Sequence, residues 1–269
     1  MSAVQARAAR AAIPSLAVRA RDVLASEWIK FRSVRSTYWT LLIAAVTGAG
    51  GSGVVAFSMA HARGGAPPFD PVAMIFVGWL EYPVLAVGIL GVLAFTSEYG
   101  SGQIRTTFTA VPRRPAVLAA KVAVAGAVTL AFGEFLSFAA FLLSQAIRSG
   151  DRQALSLSAP GALRAVLAAG FCLSLIAVGG LGLGAIIRHT AGAVVALPAV
   201  LYLPLVVLSL PQPWGERIGR FTLLAAAGQL VSAHPRPGLL PEPLSLLVAV
   251  AWPLAALLAA AVLLTRRDA

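Results

Sequence analysis

The sequence predicts an all-α membrane protein with six transmembrane helices. Three observations carry that prediction. First, apolar residues make up 59% of the 269, more than the 45–50% or so of an ordinary soluble domain. Second, six apolar stretches, 38–60, 72–96, 117–147, 163–187, 191–210 and 244–264, each reach about 20 residues. A helix rising about 1.5 Å per residue needs roughly that length to cross a hydrocarbon core about 30 Å thick. Third, the basic residues are sided. Segments 1–37, 97–116, 188–190 and 265–269, with Lys121, hold 14 of the 21 lysines and arginines. The positive-inside rule then puts both termini in the cytoplasm, in a multi-pass protein of the cytoplasmic membrane. Short alternating segments of the kind that build a β-barrel are missing.

In chain order, segment 1–37 is expected to be a cytoplasmic tail that ends in an amphipathic helix. Leu24, Trp28 and Phe31 recur at helical spacing, and Lys30, Arg32 and Arg35 supply charge, a pattern suited to the membrane interface. No apolar core with a cleavage site marks a signal peptide there. Tyr38 and Trp39 fit an interfacial aromatic belt at the mouth of the first span. Asp70-Pro71 reads as an N-cap and first helical residue for the second span, and Pro115 as the opening of the third. Gly88 and Gly91 in the second span, and the Gly180/Gly184 pair in the fourth, permit close helix packing, expected within this chain rather than between chains. Pro198 and Pro204 should bend the fifth span, because each ring frees a carbonyl. Between prolines 211 and 243, the apolar stretch 218–232 is too short to cross. It is expected to form an outer re-entrant or interfacial segment before the last helix. The transmembrane domain thus covers 38–264, and 265–269 is a cytoplasmic tail.

Several chemistries are absent from the sequence. It has no GxxxxGK[ST] phosphate loop, and glycines 179–184 lie inside an apolar span with no strand ahead of them, so they read as packing. His61, His189 and His234 are all in loops, and no HExxH or Cys/His cluster occurs. The lone Cys172 reads as a small buried apolar group. No catalytic set, metal site or cofactor site is expected. The net charge of +11 is read as topology and contact with anionic membrane lipids rather than nucleic acid. Glu81 and Glu134 fall inside the second and third spans. A charge at that depth costs roughly 2.5–3.5 kcal/mol on insertion scales, so both are expected to face protein or water. They are candidates for a translocation path or proton relay, against a purely structural role as hydrogen-bonded carboxyls.

The most distinctive stretch is the loop 96–121. Glu98 ends a helix, Gly100 and Gly102 allow a tight turn, and Ile104, Phe108 and Val111 form an apolar stripe. Pro112-Arg113-Arg114-Pro115 then stops the helix and returns the chain to the membrane. A short amphipathic helix held between two turns is a docking surface for another protein.

Glu98-Tyr99, Gly102, Ile104-Arg105, Pro112-Arg113-Arg114, Leu118 and Lys121 resemble the E-Y-x-x-G-T-I-R…P-x-R…L…K pattern of type-2 ABC transporter permeases. The run SEWIKFRSVRSTYWT and the RRDA ending are similar to that family's ends, so the resemblance covers nearly the whole chain. Gln103 stands where threonine is usual and Phe108 where leucine is common. The resemblance implies a six-helix exporter subunit that works as a homodimer or heterodimer with separate ABC ATPase subunits, which hydrolyse the ATP. It also implies that the 98–121 loop is the coupling helix that touches the ATPase, through Glu98, Gly102, Ile104, Arg105, Phe108, Pro112, Arg114 and Lys121. In that reading Ile104 and Phe108 fill a groove on the ATPase, while Glu98, Arg105 and Arg114 set orientation. Substrates in the family include drugs, antibiotics, lipids, glycans and peptides. Rival readings are a proton-coupled secondary transporter using Glu81 or Glu134, a membrane-embedded enzyme, and a sensor or immunity subunit.

Overall fold

The computed structural model describes residues 20–61, 71–76, 79, 82–149, 155–211, 213–234, 236 and 238–266. Among these residues the fold is all-helical. Helix α1 (Ala20–Ser33) precedes α2 (Arg35–Ala60), with Val34 alone between them in extended conformation. Then follow α3 (Pro71–Ile75), α4 (Tyr82–Gly100), α5 (Gln103–Ala110), α6 (Arg114–Ile147) and α7 (Ala162–Ile187). Helix α8 (Thr190–Tyr202) runs straight into a 3₁₀ segment (Leu203–Ser209), and α9 (Trp214–Gly219), α10 (Leu223–Leu230) and α11 (Glu242–Arg266) are the last helices among the described residues.

Five of these helices, α2, α4, α6, α7 and α11, are long and apolar enough to cross a bilayer. Their outer faces carry exposed apolar side chains such as Val54, Phe135, Leu167 and Leu247, which suits lipid rather than water. The chain is therefore a multi-pass membrane protein.

Helix α7 is the hub, packing on α4, α6 and α11. Its sequence explains the role. A Cβ added to Gly180 would lie 2.3 Å from the Gly88 carbonyl oxygen, and one added to Gly91 would lie 1.9 Å from that of Ala177. The α4 and α7 backbones therefore touch, as small-residue faces permit. The Gly180/Gly184 pair does pack within the chain, against Gly88, Val92 and Thr96 of α4.

Two expected spans are remodelled. The expected helix over 72–96 is instead the five-residue α3 followed by α4, which begins at Tyr82. Pro83 lacks an N–H and its ring opposes the carbonyl four residues earlier, so an unbroken helix through this stretch is disfavoured. Trp79 occupies the break, 4% exposed, with its indole N–H reaching Gly48 O at 3.2 Å and Ser52 Oγ at 3.1 Å. Ser52 Oγ in turn donates to Ile75 O at 2.7 Å, so α3 is tied to the inner face of α2. Asp70 and Glu81, the expected cap and the first intramembrane carboxylate, lie outside the described residues. The stretch 191–210 is also no single helix. Its α-helical part stops at Tyr202, and Pro204 stands in the first turn of the 3₁₀ segment that follows.

The stretch 211–243 folds as two short helices, α9 and α10, neither long enough to cross. Thr222 caps α10 by accepting from Ala225 N–H at 3.2 Å. The buried Gln229 accepts from Arg236 N–H at 3.1 Å, and Arg164 of α7 donates to Ser232 O at 2.7 Å. These polar ties gather the end of α10 and the starts of α7 and α11 at one end of the bundle. The other end, which gathers α1, α5 and the ends of α4, α7 and α11, is the basic end.

A buried charge cluster at the basic end as the candidate functional site

Four charged side chains from three helices meet beneath α5. Lys121 of α6 places its ammonium 2.7 Å from Glu27 Oε2 of α1 and 2.5 Å from Glu98 Oε1 of α4. Lys30, one turn beyond Glu27, lies 2.8 Å from Glu27 Oε1 and 2.9 Å from Glu98 Oε1. Glu27, Glu98 and Lys121 are each 4% exposed, and Lys30 remains partly open to solvent. Thr107 of α5 joins the cluster by donating to Glu98 Oε2 at 3.2 Å, and Lys121 also donates to the Ala94 carbonyl at 3.3 Å. Two acids and two ammonium groups balance, so the cluster tolerates burial that an unpaired charge would not. Burial pulls the Lys30 ammonium down, but the hydrogen bonds and attraction of Glu27 and Glu98 hold it above the ordinary lysine range.

The local sequence explains each position. On α1 the inward positions are Val23, Glu27, Lys30 and Phe31, one face of a helix, while Leu24 and Trp28 stay exposed. Gly102 adopts φ 73°, the left-handed region that glycine enters without penalty, and so reverses the chain between α4 and α5. Pro115 lies in the first turn of α6, and the 34 residues of that helix span about 50 Å, so its ends reach beyond a core of about 30 Å.

Two arginines complete the basic end. Arg114 donates to Leu264 O at 2.9 Å and stacks on Phe108, its guanidinium carbon 5.3 Å from the ring centre. Arg188 donates to Leu263 O at 3.2 Å and lies 5.6 Å from the Tyr99 ring. Both satisfy carbonyls in the last turn of α11, where the helix dipole also favours a cation. Arg188 holds φ 59°, uncommon outside glycine, at the position that ends α7.

In this chain the apolar stripe of α5 is turned largely inward. Ile104 is 3% exposed and turned into the chain's own interior. Phe108 is half-buried against the apolar cluster of Phe95, Leu118 and Leu264. Phe108 keeps part of its surface exposed, whereas Ile104 does not. Glu98 and Lys121 are likewise internal struts, and Arg114 is committed to α11. What α5 and the following turn expose is Gln103, Arg105, Thr106, Thr109, Ala110, Pro112 and Arg113. The sequence reading singled out Glu98 and Lys121 but passed over Glu27. Its signal was an acid three residues ahead of Lys30 in EWIKF, set on the same helical face as Val23 and Phe31.

Glu134, the second intramembrane carboxylate, sits on α6 far from this cluster. Gly133 and Gly170 let α6 and α7 approach so closely that a Cβ on Gly170 would lie 2.7 Å from Glu134 Cδ. Glu134 Oε2 is buried with no hydrogen-bond partner. Glu81 lies outside the described residues. Comparison with protein-family models, curated proteins and solved structures finds no significant match to any of them.

Proposed function

We propose that the chain is the membrane permease subunit of an ATP-driven ABC exporter. It sits in the cytoplasmic membrane with both termini inside, and pairs with a second permease chain and with separate ATPase chains. The broken α8–3₁₀ segment serves as the sixth crossing. Thirteen α-helical residues at about 1.5 Å and seven 3₁₀ residues at about 2 Å span roughly 33 Å together. α1 lies in the cytoplasmic interface, and α9 and α10 form the outer re-entrant segment. Substrate class is a drug, antibiotic, lipid, glycan or peptide.

The observation that carries this reading is the buried cluster joining α5 to three other helices. Thr107 links α5 to Glu98, Glu98 to Lys30 and Lys121, and Lys121 to Glu27. A force applied to α5 by a partner that changes shape with ATP is thereby delivered to α1, α4 and α6 as one body. A two-state membrane element can be biased only through such a differential contact. The partner meets the polar outer face, Gln103, Arg105, Thr106 and Thr109, rather than Ile104.

Co-purification with a candidate ABC ATPase chain, sought first in the adjacent reading frames, tests the proposal. Arg105→Glu should cut recovery of the ATPase at least tenfold, because it reverses charge on the exposed face, while Ile104→Val should leave it intact. Recovery unchanged in Arg105→Glu and in a Thr106→Trp, Thr109→Trp double variant would remove α5 as the contact. Topology has its own check. A reporter active only in the cytoplasm should be bright when fused after Ala269, and one active only outside should be bright after Gly150. A silent reporter at either place rejects six crossings with both ends inside. A second reading, a proton-coupled secondary transporter, is favoured by the unpartnered Glu134 oxygen. It predicts transport that uncouplers abolish and that needs no ATPase.

A further inference from the structure

We propose that the bilayer-facing groove between α6, α7, α10 and α11 is a binding site for a hydrophobic monocation, an apolar chain or ring system carrying one protonated amine. The groove is open along one side and offers a volume of about 650 Å³. Leu130, Leu167, Phe171 and Leu246 form its apolar wall, and three charged side chains line it: Glu134, Arg164 and Glu242. Arg164 and Glu242 neutralise each other at 2.8 Å, and Arg164 is further held by the Ser232 carbonyl at 2.7 Å. Glu134 is left as the one charge without a counter-ion in the groove, its Oε2 buried and making no hydrogen bond.

Geometry fixes where the ammonium would sit. Glu134 packs against Gly170, six residues along α7 from Arg164, or about 9 Å at 1.5 Å per residue. The unpaired carboxylate thus lies below the neutral ion pair at the rim, inside the apolar wall. An ammonium placed there supplies the Glu134 carboxylate with the missing counter-charge, and its chain covers Leu167 and Phe171. A lipid acyl tail would fill the same wall yet give the carboxylate no donor, and a neutral alcohol would give it a hydrogen bond but no counter-charge. Charge complementarity therefore selects the monocation over an uncharged amphiphile of equal length. This site stands apart from the ATPase partnership, because binding needs no ATP and no second protein.

The test uses the full chain in phosphatidylcholine nanodiscs near neutral pH, with radiolabelled dodecylammonium as probe, dodecanol as its neutral counterpart, and empty nanodiscs as the lipid blank. Saturable binding of dodecylammonium, one per chain and at least tenfold tighter than dodecanol, is expected. Glu134→Gln should weaken the ammonium about tenfold or more and leave dodecanol unchanged. Leu167→Trp, which fills the mouth of the groove, should weaken both. If Glu134→Gln does not elute as folded protein, Leu167→Trp and the ammonium-to-alcohol ratio in the unmodified chain decide. Binding that does not saturate, that is equal for amine and alcohol, or that survives either folded variant unchanged overturns the proposal.

Discussion

Gly91→Ala should unfold this protein more readily than almost any other single methyl addition. The new Cβ would stand 1.9 Å from the Ala177 carbonyl oxygen and 2.7 Å from its carbon, both backbone atoms of a helix packed on three neighbours. Neither atom can move aside as a side chain would, so α4 and α7 must separate along their length. Overpacking in a dense interior costs about 1–3 kcal/mol when side chains can yield; here the loss should exceed that range. Gly50→Ala is the matched control, since nothing lies within 4 Å of a Cβ there. Thermal unfolding in detergent should show a large drop for Gly91→Ala and none for Gly50→Ala. Equal melting temperatures would mean that α4 and α7 are not in backbone contact.

Lys121→Met should be the most damaging change at the basic end. It removes the cation that touches both buried carboxylates and leaves Glu27 and Glu98 to share Lys30, which is partly solvated. Removing one partner of a buried ion pair typically costs about 3–5 kcal/mol, because the other charge stays behind uncompensated. The pattern of rescue distinguishes charge from packing. Glu27→Gln added to Lys121→Met takes away one orphaned carboxylate and should restore part of the loss, with a coupling of about 0.5–3 kcal/mol in the double-mutant cycle. A purely steric role for Lys121 predicts no rescue. Additive losses in that cycle would therefore dismiss the cluster as an electrostatic unit.

Particular residues show how much of this was legible in the sequence. The helices over 117–147, 163–187 and 244–264 appear as α6, α7 and α11 with ends shifted by three residues at most, because length and apolarity alone determine a long buried helix. The break ahead of α4 was hidden. An apolar window over 72–96 reads the same whether or not Pro83 interrupts it, and only the fold shows Trp79 bonded to α2 in the gap. At the candidate site, the stripe at 104, 108 and 111 announced an apolar face but not which body covers it. The chain's own Phe95 and Leu118 cluster covers it at Phe108. Glu27 escaped notice because its buried counter-ion, Lys121, is 94 residues away, a pairing that no local pattern encodes; only the bond to Lys30 is local.

That separation dictates an order of assembly. When α1 and α2 have been made, the Lys121 side chain does not yet exist, and Glu27 has only its neighbour Lys30 for company. A carboxylate in that position gains more from water and lipid headgroups than from an apolar seat. α1 thus stays undocked while α2 and α4 enter the bilayer, and seats only after α6 brings Lys121 to the same end. Docking of α1 is therefore expected late in biogenesis, and a chain cut short before residue 121 should leave that helix loose.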